Sequence, residues 1–394
     1  MLLVLCENSP AFVKPEQKAI GIKWKTKFNL EDGAAQHKLV QCEFNYIPII
    51  DTLKTKFRDE NFLQIFFGGD HSCSPGVIER FCCGEIYKRS DLFQQQPKAI
   101  QLLLSIDEFE PCLALKTKSG IHKICAIYMQ IINLPQRLLS KLENIHLVAL
   151  CTSDNLKGEF ASLDNILELI VSEIKSLEEI GIKVNDRYIK GTLAIFTFDN
   201  LGGNDLFGFV RGFNASHYCR ICNLTKNECS EAVTDDPNRF RKIDEYNEQI
   251  VELHSNVGHI QGVAKKCLLN DLKYFHTLKN TTVDLMHDVL EGVIQFLLHE
   301  IFNFCLKRNL LTKQQLIGRV RDFNYGYLLR NSKPSILHLD KRNLNQNASQ
   351  TYCLFVSLPF ILFNYLEPLE EVWICVESLL GAMQIVFFQF NSRK

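Results

Sequence analysis

Three carboxylates and an imidazole fall on one side of a predicted helix in the last third of the chain. The segment 284–295 reads DLMHDVLEGVIQ, and its polar residues stand at i, i+3, i+4 and i+7: Asp284, His287, Asp288 and Glu291. Like charges one turn apart repel, and a buried carboxylate costs several kcal/mol unless it is compensated. A divalent cation is the commonest compensation that also does chemistry, so the pattern indicates a metal site.

Two more acids close predicted strands. Asp107 ends the strand 98–109, and Asp199 lies near the end of the strand 188–200. The three acids Asp107, Asp199 and Glu291 are separated by 92 residues each time (199 − 107 and 291 − 199), so only tertiary folding can bring them together. Carboxylates that do converge can hold two Mg²⁺ ions about 3.5–4 Å apart for phosphoryl displacement. The alternatives are solvated acids that mark turns, and an exposed helix face for Glu291.

A Cys-x-x-Cys pair adds a different kind of candidate site. Cys219 and Cys222 are half of a tetrahedral zinc site, which needs two further ligands. The alternatives are plain reduced thiols or a redox pair, although the thioredoxin-like setting of a redox pair is missing. His287 could likewise bind metal, orient an acid or sit satisfied in the core. The candidates for the missing ligands are Cys229, His217, His254, His259, Cys267, His276 and His287.

The elements around these residues predict an α/β fold. Apolar runs indicate four strands, at 98–109, 121–135, 144–152 and 188–200, and helical spacing indicates a helix within 159–182. Three strands, a helix and another strand form an α/β layer order, whose ligands gather at strand ends. Further predictions are a strand at the N-terminus, a helix at 46–57, a strand at 61–69 and short helices at 205–213 and 245–254.

The C-terminal third reads as helical. The acidic helix is predicted to run to about residue 307, and three more helices follow at 313–323, 349–366 and 372–390. The last two are apolar nearly all round, which is typical of core helices or interaction surfaces. The predicted domains are an N-terminal mixed region 1–95, a core 96–215, a Cys-x-x-Cys insertion 216–283, the acidic core helix 284–310 and a helical region 311–394.

Composition narrows the class of protein. The chain has 394 residues, is 46% hydrophobic and has a formal charge of −1, so it lacks the basic excess of many nucleic-acid proteins. No apolar run reaches the length of a membrane span and no secretory signal is evident, so we expect no membrane partner. The fifteen cysteines form no dense framework, which favours a nuclear or cytoplasmic protein over a secreted one. Five are predicted to be reduced core residues: Cys125, Cys151, Cys305, Cys353 and Cys375.

Six segments in the same order carry a family resemblance. They are YIPIIDTLK, LLLSIDEFEP, GIHKICAIYMQIINLP, the FDN that precedes GFVRGFNASHYCRIC, VDLMHDVLEGV and NASQTYCLFVSLP. Together they resemble the transposase domain of CACTA-type DNA transposons and its animal, transposon-derived relatives. CRIC followed by MHDVLEG is the most specific part, and the resemblance covers most of the chain.

The resemblance implies a fold and an activity. The fold would be a ribonuclease H-like mixed-sheet core, with an insertion before the last acidic helix and an α-helical C-terminal part. The catalytic acids would be Asp107, Asp199 and Glu291, with Asp288 an alternative to Glu291, and they would hold Mg²⁺ or Mn²⁺. Cys219 and Cys222, with His287 beside the third acid, match the family's Cys and His positions, and Zn²⁺ is expected at the cysteines.

The implied reaction is metal-dependent cleavage and strand transfer at the terminal repeats of a transposon, in a nuclear protein that could form a homo-oligomer. Two other readings stay open. One is a non-enzymatic transposase fold that acts as a protein- or DNA-interaction module, with its apolar C-terminal helices docking a partner. The other is a zinc protein in which the cysteines and His287 matter and the acids are incidental.

Overall fold

The chain forms two compact units. The computed structural model describes residues 12–28, 35–68, 80–111, 122–253, 258–341, 344–366 and 370–387. The first unit is Met1–Thr282 and the second is Val283–Lys394. Each has its own hydrophobic core, as expected for independent packing units.

A six-stranded mixed sheet organises the first unit. Its strand order is β1-β2-β5-β4-β3-β8, and all neighbouring strands are antiparallel except β3 and β8, which are parallel. The strands are β1 Glu16–Phe28, β2 Ala35–Tyr46, β3 Ile100–Phe109, β4 Ile124–Ile131, β5 His146–Thr152 and β8 Gly191–Thr197, while β6 Ile182–Val184 and β7 Arg187–Ile189 form a separate hairpin. The helix Leu163–Glu179, labelled α6, forms the crossover between β5 and β8.

Helix α6, Leu163–Glu179, covers the sheet because its apolar residues recur at helical spacing. Ile166, Ile170, Ile174 and Leu177 are all buried in the core of the unit. A capping box between Ser162 and Asn165 fixes its start. The other helices of this unit are α1 Ile49–Lys56, α2 Glu60–Gly68, α3 Glu85–Lys88, α4 Asp91–Gln95, α5 Gln136–Leu139, α7 Asn200–Leu206, α8 Lys226–Glu231 and α9 Ile243–Leu253.

The second unit is helical throughout its described elements. A π-helix, Met286–Val293, continues directly into α10 Ile294–Lys307, and α11 Lys313–Asp322, α12 Gly326–Leu329, α13 Ala348–Leu366 and α14 Glu370–Phe387 follow. The stretch Met286–Lys307 is long and apolar enough to cross a membrane by length and composition alone, which the sequence did not lead us to expect. Core helices meet the same criterion, and Leu298 and Phe302 of this stretch are buried in the second core.

The α/β class is confirmed, and the four strands and the crossover helix lie where the sequence predicts them. The strand predicted at 61–69 is wrong, because this run forms helix α2, which buries Phe62 and Phe66 on one face against Phe57. Short apolar runs are ambiguous between the two periods. The long strands β1 and β2 were missed, since their lysines interrupt the apolar alternation, and the strand predicted at 1–10 lies outside the described residues.

Eleven of the described cysteines form no disulfide bond, whereas Cys83 is disulfide-bonded. Four of the five predicted core thiols are buried: Cys125, Cys151, Cys305 and Cys353. The prediction is wrong for Cys375, which is exposed on α14 because the helix packs only one side into the core.

Two partly buried histidines make stability depend on pH. Burial lowers the pKa of both His146 and His276 to about 4. An unfolded histidine has a pKa of about 6.5, so the unfolded chain binds more protons between these values. The stabilising contribution is complete above the unfolded pKa and is lost as the pH falls towards the folded pKa.

We therefore predict that the free energy of unfolding falls by an amount on the order of 1–3 kcal/mol between pH 7 and pH 5, allowing for partial exposure of the rings. Urea titrations at each pH measure this. His146→Gln and His276→Gln should each flatten the pH dependence, whereas His122→Gln, which changes an exposed ring, should retain it. An unchanged slope in both core variants would contradict the assignment.

Candidate functional site

Two of the predicted acids lie side by side at one edge of the sheet. Parallel strands β3 and β8 pair in register at Ser105 and Thr197, so two steps further along each strand lead to Asp107 and Asp199. Asp107 lies inside β3, two residues before its end, and Asp199 follows β8 by two residues. Both side chains are exposed and line one groove of about 590 Å³.

The charges of the groove distinguish these two acids from their neighbours. Glu108 pairs with Lys123 at 3.8 Å and accepts a hydrogen bond from Ser153 Oγ at 2.7 Å. Asp205 lies 3.9 Å from Arg211. Among the described residues, Asp107 and Asp199 take part in no ion pair, so their charges remain available to a ligand.

Asp199 is held by the helix that follows it. It is the N-cap of α7, and its Oδ1 accepts a hydrogen bond from the Gly202 backbone N–H at 2.6 Å. Helix α7 corrects the sequence prediction, which placed a turn at 200–204 and a helix at 205–213. The glycines permit close packing rather than a turn: a Cβ on Gly203 would lie 2.1 Å from the Phe198 ring. The second carboxylate oxygen of Asp199 is not used by the cap.

A cysteine in the groove has no nucleophilic character. Cys125 lies opposite Glu108 in the pairing of β3 with β4. Burial first, and then the negative charges of Glu108, Cys151 and Asp107, raise the pKa of its thiol to about 12. The thiolate is the reactive form, so at neutral pH Cys125 contributes a neutral side chain to the groove.

The acid pair suits magnesium chemically. Mg²⁺ binds through one or two carboxylates and completes its shell with water and substrate phosphates. A two-metal site needs more carboxylate ligands than this pair supplies. Across the described parts of the chain, no three or more His, Cys, Asp or Glu side chains are grouped so that they could hold a metal ion.

The third predicted acid belongs to the second unit. Glu291 is exposed on the π-helix, and its Oε1 accepts a hydrogen bond from the Ala348 backbone N–H at 3.2 Å, which caps the start of α13. Asp288 is exposed one turn earlier. Whether Glu291 joins Asp107 and Asp199 in one site stays a prediction.

The acidic helix is wound differently from the α-helix that the spacing predicted. In a π-helix the backbone hydrogen bonds join residues i and i+5, so each turn holds more residues than a turn of α-helix. Residues at i, i+3, i+4 and i+7 are therefore spread over a wider part of the helix surface. A Cβ at Gly292 would lie 2.9 Å from the His287 carbonyl oxygen, so a glycine suits this wider turn. π-helical turns are rare in proteins overall, but those that occur are often found at functional sites.

His287 is oriented by Asp284. Its Nδ1 lies 2.5 Å from Asp284 Oδ2, and Asp284 Oδ1 accepts from the His287 backbone N–H at 3.1 Å. The Asp284 side chain is 9% exposed and the His287 side chain is 41% exposed. A carboxylate on one ring nitrogen fixes the tautomer and the ring orientation, as in carboxylate–histidine pairs around metals.

The Cys-x-x-Cys segment folds into a knuckle suited to a thiolate. Cys219 Sγ accepts hydrogen bonds from the backbone N–H groups of Ile221 at 3.3 Å and Cys222 at 3.4 Å. Arg241 Nε donates to the Cys219 carbonyl at 2.9 Å. Burial, followed by the neighbouring thiols Cys219 and Cys229, raises the pKa of Cys222 to about 12. A bound metal ion would offset that repulsion, because it binds the deprotonated sulfurs.

The contacts of the other candidate residues reduce the number that could complete a zinc site with Cys219 and Cys222. Cys229 influences the ionisation of Cys222, so it lies in the same neighbourhood. Cys267 and His276 are committed elsewhere, since Cys267 Sγ donates to the Leu206 carbonyl and the His276 ring accepts from the Leu278 N–H. His287 belongs to the second unit, and His254 lies outside the described residues. The His259 ring is committed too, because its Nδ1 accepts from the Gly262 N–H at 3.3 Å, so Cys229 and His217 remain as candidates.

Sequence reasoning missed Arg220, the residue inside the Cys-x-x-Cys. It is 7% exposed, and its guanidinium donates to Asn200 Oδ1 at 3.1 Å, Asn204 Oδ1 at 3.3 Å and the Thr282 carbonyl at 2.8 Å. It also lies 5.3 Å from the centre of the Phe198 ring. Arg220 thus contacts the residues immediately before and after Asp199. It links the Cys-x-x-Cys knuckle to the acidic edge, the edge of the sheet where Asp107 and Asp199 lie.

We predict that Arg220→Met lowers the free energy of unfolding by roughly 2–4 kcal/mol, because one buried and two partly buried acceptors lose a charged donor. Chemical denaturation of the whole chain measures the change. Arg187→Met, which alters an exposed arginine on β7, should change stability by less than about 0.5 kcal/mol. Equal effects of the two substitutions would show that Arg220 does not brace this edge.

Comparison with known proteins adds no family assignment: no protein-family model matches the chain, and no curated protein matches it either.

Proposed function

We propose that the chain is a transposon-derived nuclease of the DDE type, whose acidic edge binds Mg²⁺ or Mn²⁺ and cleaves DNA. The observation that carries the proposal is the placement of Asp107 on β3 and of Asp199 just after the adjacent parallel strand β8, in one groove, without an ion-pair partner among the described residues. By the resemblance, the third acid of the family would be Glu291, with Asp288 as the alternative.

The strand topology supports a ribonuclease H-like core. Three antiparallel strands, β3, β4 and β5, are followed by helix α6 and by β8, which pairs parallel to β3. The resulting order 5-4-3-8 puts the first and fourth strands of this core side by side, which is what an acid on each of them requires. The long interval from Asp199 to the second unit holds the Cys-x-x-Cys segment, in keeping with the proposed insertion.

The chain's own residues would bind and orient the reacting groups. Asp107 and Asp199 present carboxylate oxygens at the groove, and the N-cap bond to Gly202 restricts the rotamer of Asp199. Lys157 lines the same groove and would contact a phosphate there, whereas Arg211 and Lys265, which also line it, are paired with Asp205 and Asp164. A bound divalent cation would supply Lewis-acid activation of the phosphate and of the attacking water.

An observation in the second unit favours the non-enzymatic alternative. Glu291 caps helix α13 through Ala348, which gives it a structural role without any metal. In that case the fold would act as a protein- or DNA-interaction module whose acids no longer form a complete site.

The decisive experiment is Mn²⁺- or Mg²⁺-dependent cleavage of labelled DNA by the whole chain. Asp199→Asn keeps an acceptor for the Gly202 N–H but removes the charge, so we expect cleavage and Mn²⁺ affinity to fall at least tenfold with the fold intact. Asp107→Asn should behave alike. Asp186→Asn, in the exposed β6–β7 turn, is the matched control and should match the unaltered protein.

Cleavage by Asp199→Asn at the unaltered rate would exclude the assigned site. A chain that neither cleaves DNA nor binds Mn²⁺ at the groove would favour the interaction module instead.

We also propose that Cys219 and Cys222 bind zinc and so stabilise the insertion. Purified protein should contain about one zinc per chain, and Cys219→Ser should lose it, because two thiolates are needed from this knuckle. Cys375→Ser, which alters an exposed thiol of the second unit, should leave the zinc content unchanged. Metal analysis by mass spectrometry measures both, and equal zinc in all three proteins would remove Cys219 as a ligand.

A further inference from the structure

A two-stranded ribbon extends from the sheet beside the groove that Asp107 and Asp199 line, which we call the acidic groove. Strands β1 and β2 pair along their whole lengths, from Glu16 opposite Tyr46 to Phe28 opposite Ala35. Strand β2 pairs with β5 only at Asn45 and Tyr46. We call residues 23–28 and 35–40 the distal ribbon, and within the described residues no third strand pairs with it.

The distal ribbon extends from the same edge as the acids. Strand β5 runs parallel to β3, since both are antiparallel to β4, so Thr152 at the end of β5 and Asp107 lie at one edge. Strand β2 enters against β5 with Asn45 opposite Leu150. Its earlier residues therefore lie beyond that edge, together with the second half of β1.

A second groove connects the distal ribbon with the acidic groove. It has a volume of about 470 Å³ and is lined by Lys23, Trp24 and Lys25 of the ribbon and by Lys157, together with the acids Asp154 and Glu159. Lys157 also lines the groove of Asp107 and Asp199, so the two grooves share a wall. Glu159 fixes the base of the ribbon through two backbone hydrogen bonds with Ile22, at 3.0 and 2.7 Å.

The distal ribbon carries positive charge and an exposed aromatic ring. Residues 23–28 and 35–40 include four lysines and no acid in a chain whose net charge is −1, although the connecting residues 29–34 contain Glu31 and Asp32. Trp24 is 67% exposed, and Leu39 opposite it is 43% exposed. Lys23 is partly neutralised by Asp154, whereas Lys25 and Lys38 face each other across the ribbon and are both exposed.

Two of these features work against folding. Like charges directly opposite each other on a ladder destabilise the pair, and an exposed indole loses the stabilisation that burial would give. Lysines do protect an edge strand against pairing with another chain. That role explains a lysine on β1 but not a tryptophan exposed between two lysines, so a ligand accounts for the pattern better.

We propose that the distal ribbon binds single-stranded nucleic acid that leads into the acidic groove. A base stacks on Trp24, and Lys25, Lys38 and Lys157 contact phosphates along the path. Stacking on an aromatic ring combined with a cationic track is how proteins hold single strands without reading their sequence. The inference rests on the proposed nuclease function for the direction of the strand, but binding at the ribbon can be measured separately from cleavage.

Fluorescence gives a direct test, because the chain has two tryptophans, Trp24 and Trp373. In Trp373→Phe, all indole emission comes from Trp24, and titration with a 20-nucleotide oligothymidylate at low salt should quench it. The affinity should fall as salt rises. A duplex of equal length should quench less, because its bases are stacked on one another. Absence of quenching, or equal quenching by the duplex, would overturn the proposal.

A charge variant separates binding from folding. Lys25→Glu in the Trp373→Phe background converts a repulsive cross-strand pair with Lys38 into an attractive one, so the urea midpoint should stay or rise. Its affinity for the oligonucleotide should nevertheless fall at least fivefold. Lys183→Glu, an exposed change in β6, should bind like the parent. Equal affinity of Lys25→Glu and the parent would refute the ribbon as the binding surface.

Cleavage assays distinguish this proposal from the nuclease function. Quenching that Lys25→Glu weakens, in a chain that never cleaves DNA, would support the ribbon and reject the nuclease. Cleavage without quenching would support the nuclease and reject the ribbon as the binding surface.

Discussion

The parallel pairing of β3 with β8 is the constraint on which the candidate site depends. Parallel neighbours need a crossover connection, and here it contains helix α6, whose buried face also forms the core of the first unit. Because the two strands point the same way, Asp107 near the end of β3 and Asp199 just after β8 lie at one edge. An antiparallel arrangement of the same strands would have put the two acids at opposite ends of the sheet.

The outer edge of β8 is closed by side chains rather than by another described strand. Asn280 Nδ2 donates to the Ala194 carbonyl, and Thr282 Oγ1 donates to the Phe196 carbonyl. This satisfies backbone acceptors that an open edge would expose. The Thr282 carbonyl in turn accepts from Arg220, so the end of the first unit, the cysteine knuckle and β8 belong to one hydrogen-bonded network. Metal binding at the knuckle would act on the acidic edge through this network.

The arrangement of charge explains how a chain of almost zero net charge can still present a cationic surface. In the acidic groove the carboxylates beside the proposed site are paired with lysine or arginine, whereas Asp107 and Asp199 have no such partner in the part of the chain that the structure describes. The lysines of the distal ribbon are arranged so that two of them oppose each other. Composition averages over both features, so the net charge does not reveal the local surfaces on which the proposed DNA binding rests.

Local sequence patterns determined the α/β class, the strands β3, β4, β5 and β8, the crossover helix and the helical C-terminal part, because apolar periodicity follows burial directly. They also drew attention to Asp107 and Asp199. They could not predict β1 and β2, whose lysines hide the alternation and whose pairing comes from a long hairpin.

Only the tertiary structure decided which polar residues meet. The residue spacing predicted an α-helix, whereas the segment Met286–Val293 is a π-helix. Asp284, just before it, orients His287, and Glu291 caps α13. It gave no sign of Arg220, because a buried guanidinium is recognisable only by acceptors that come from distant segments. Strand pairing and helix winding are set by packing between parts of the chain that are far apart in sequence, and this packing fixes the chemistry of the site.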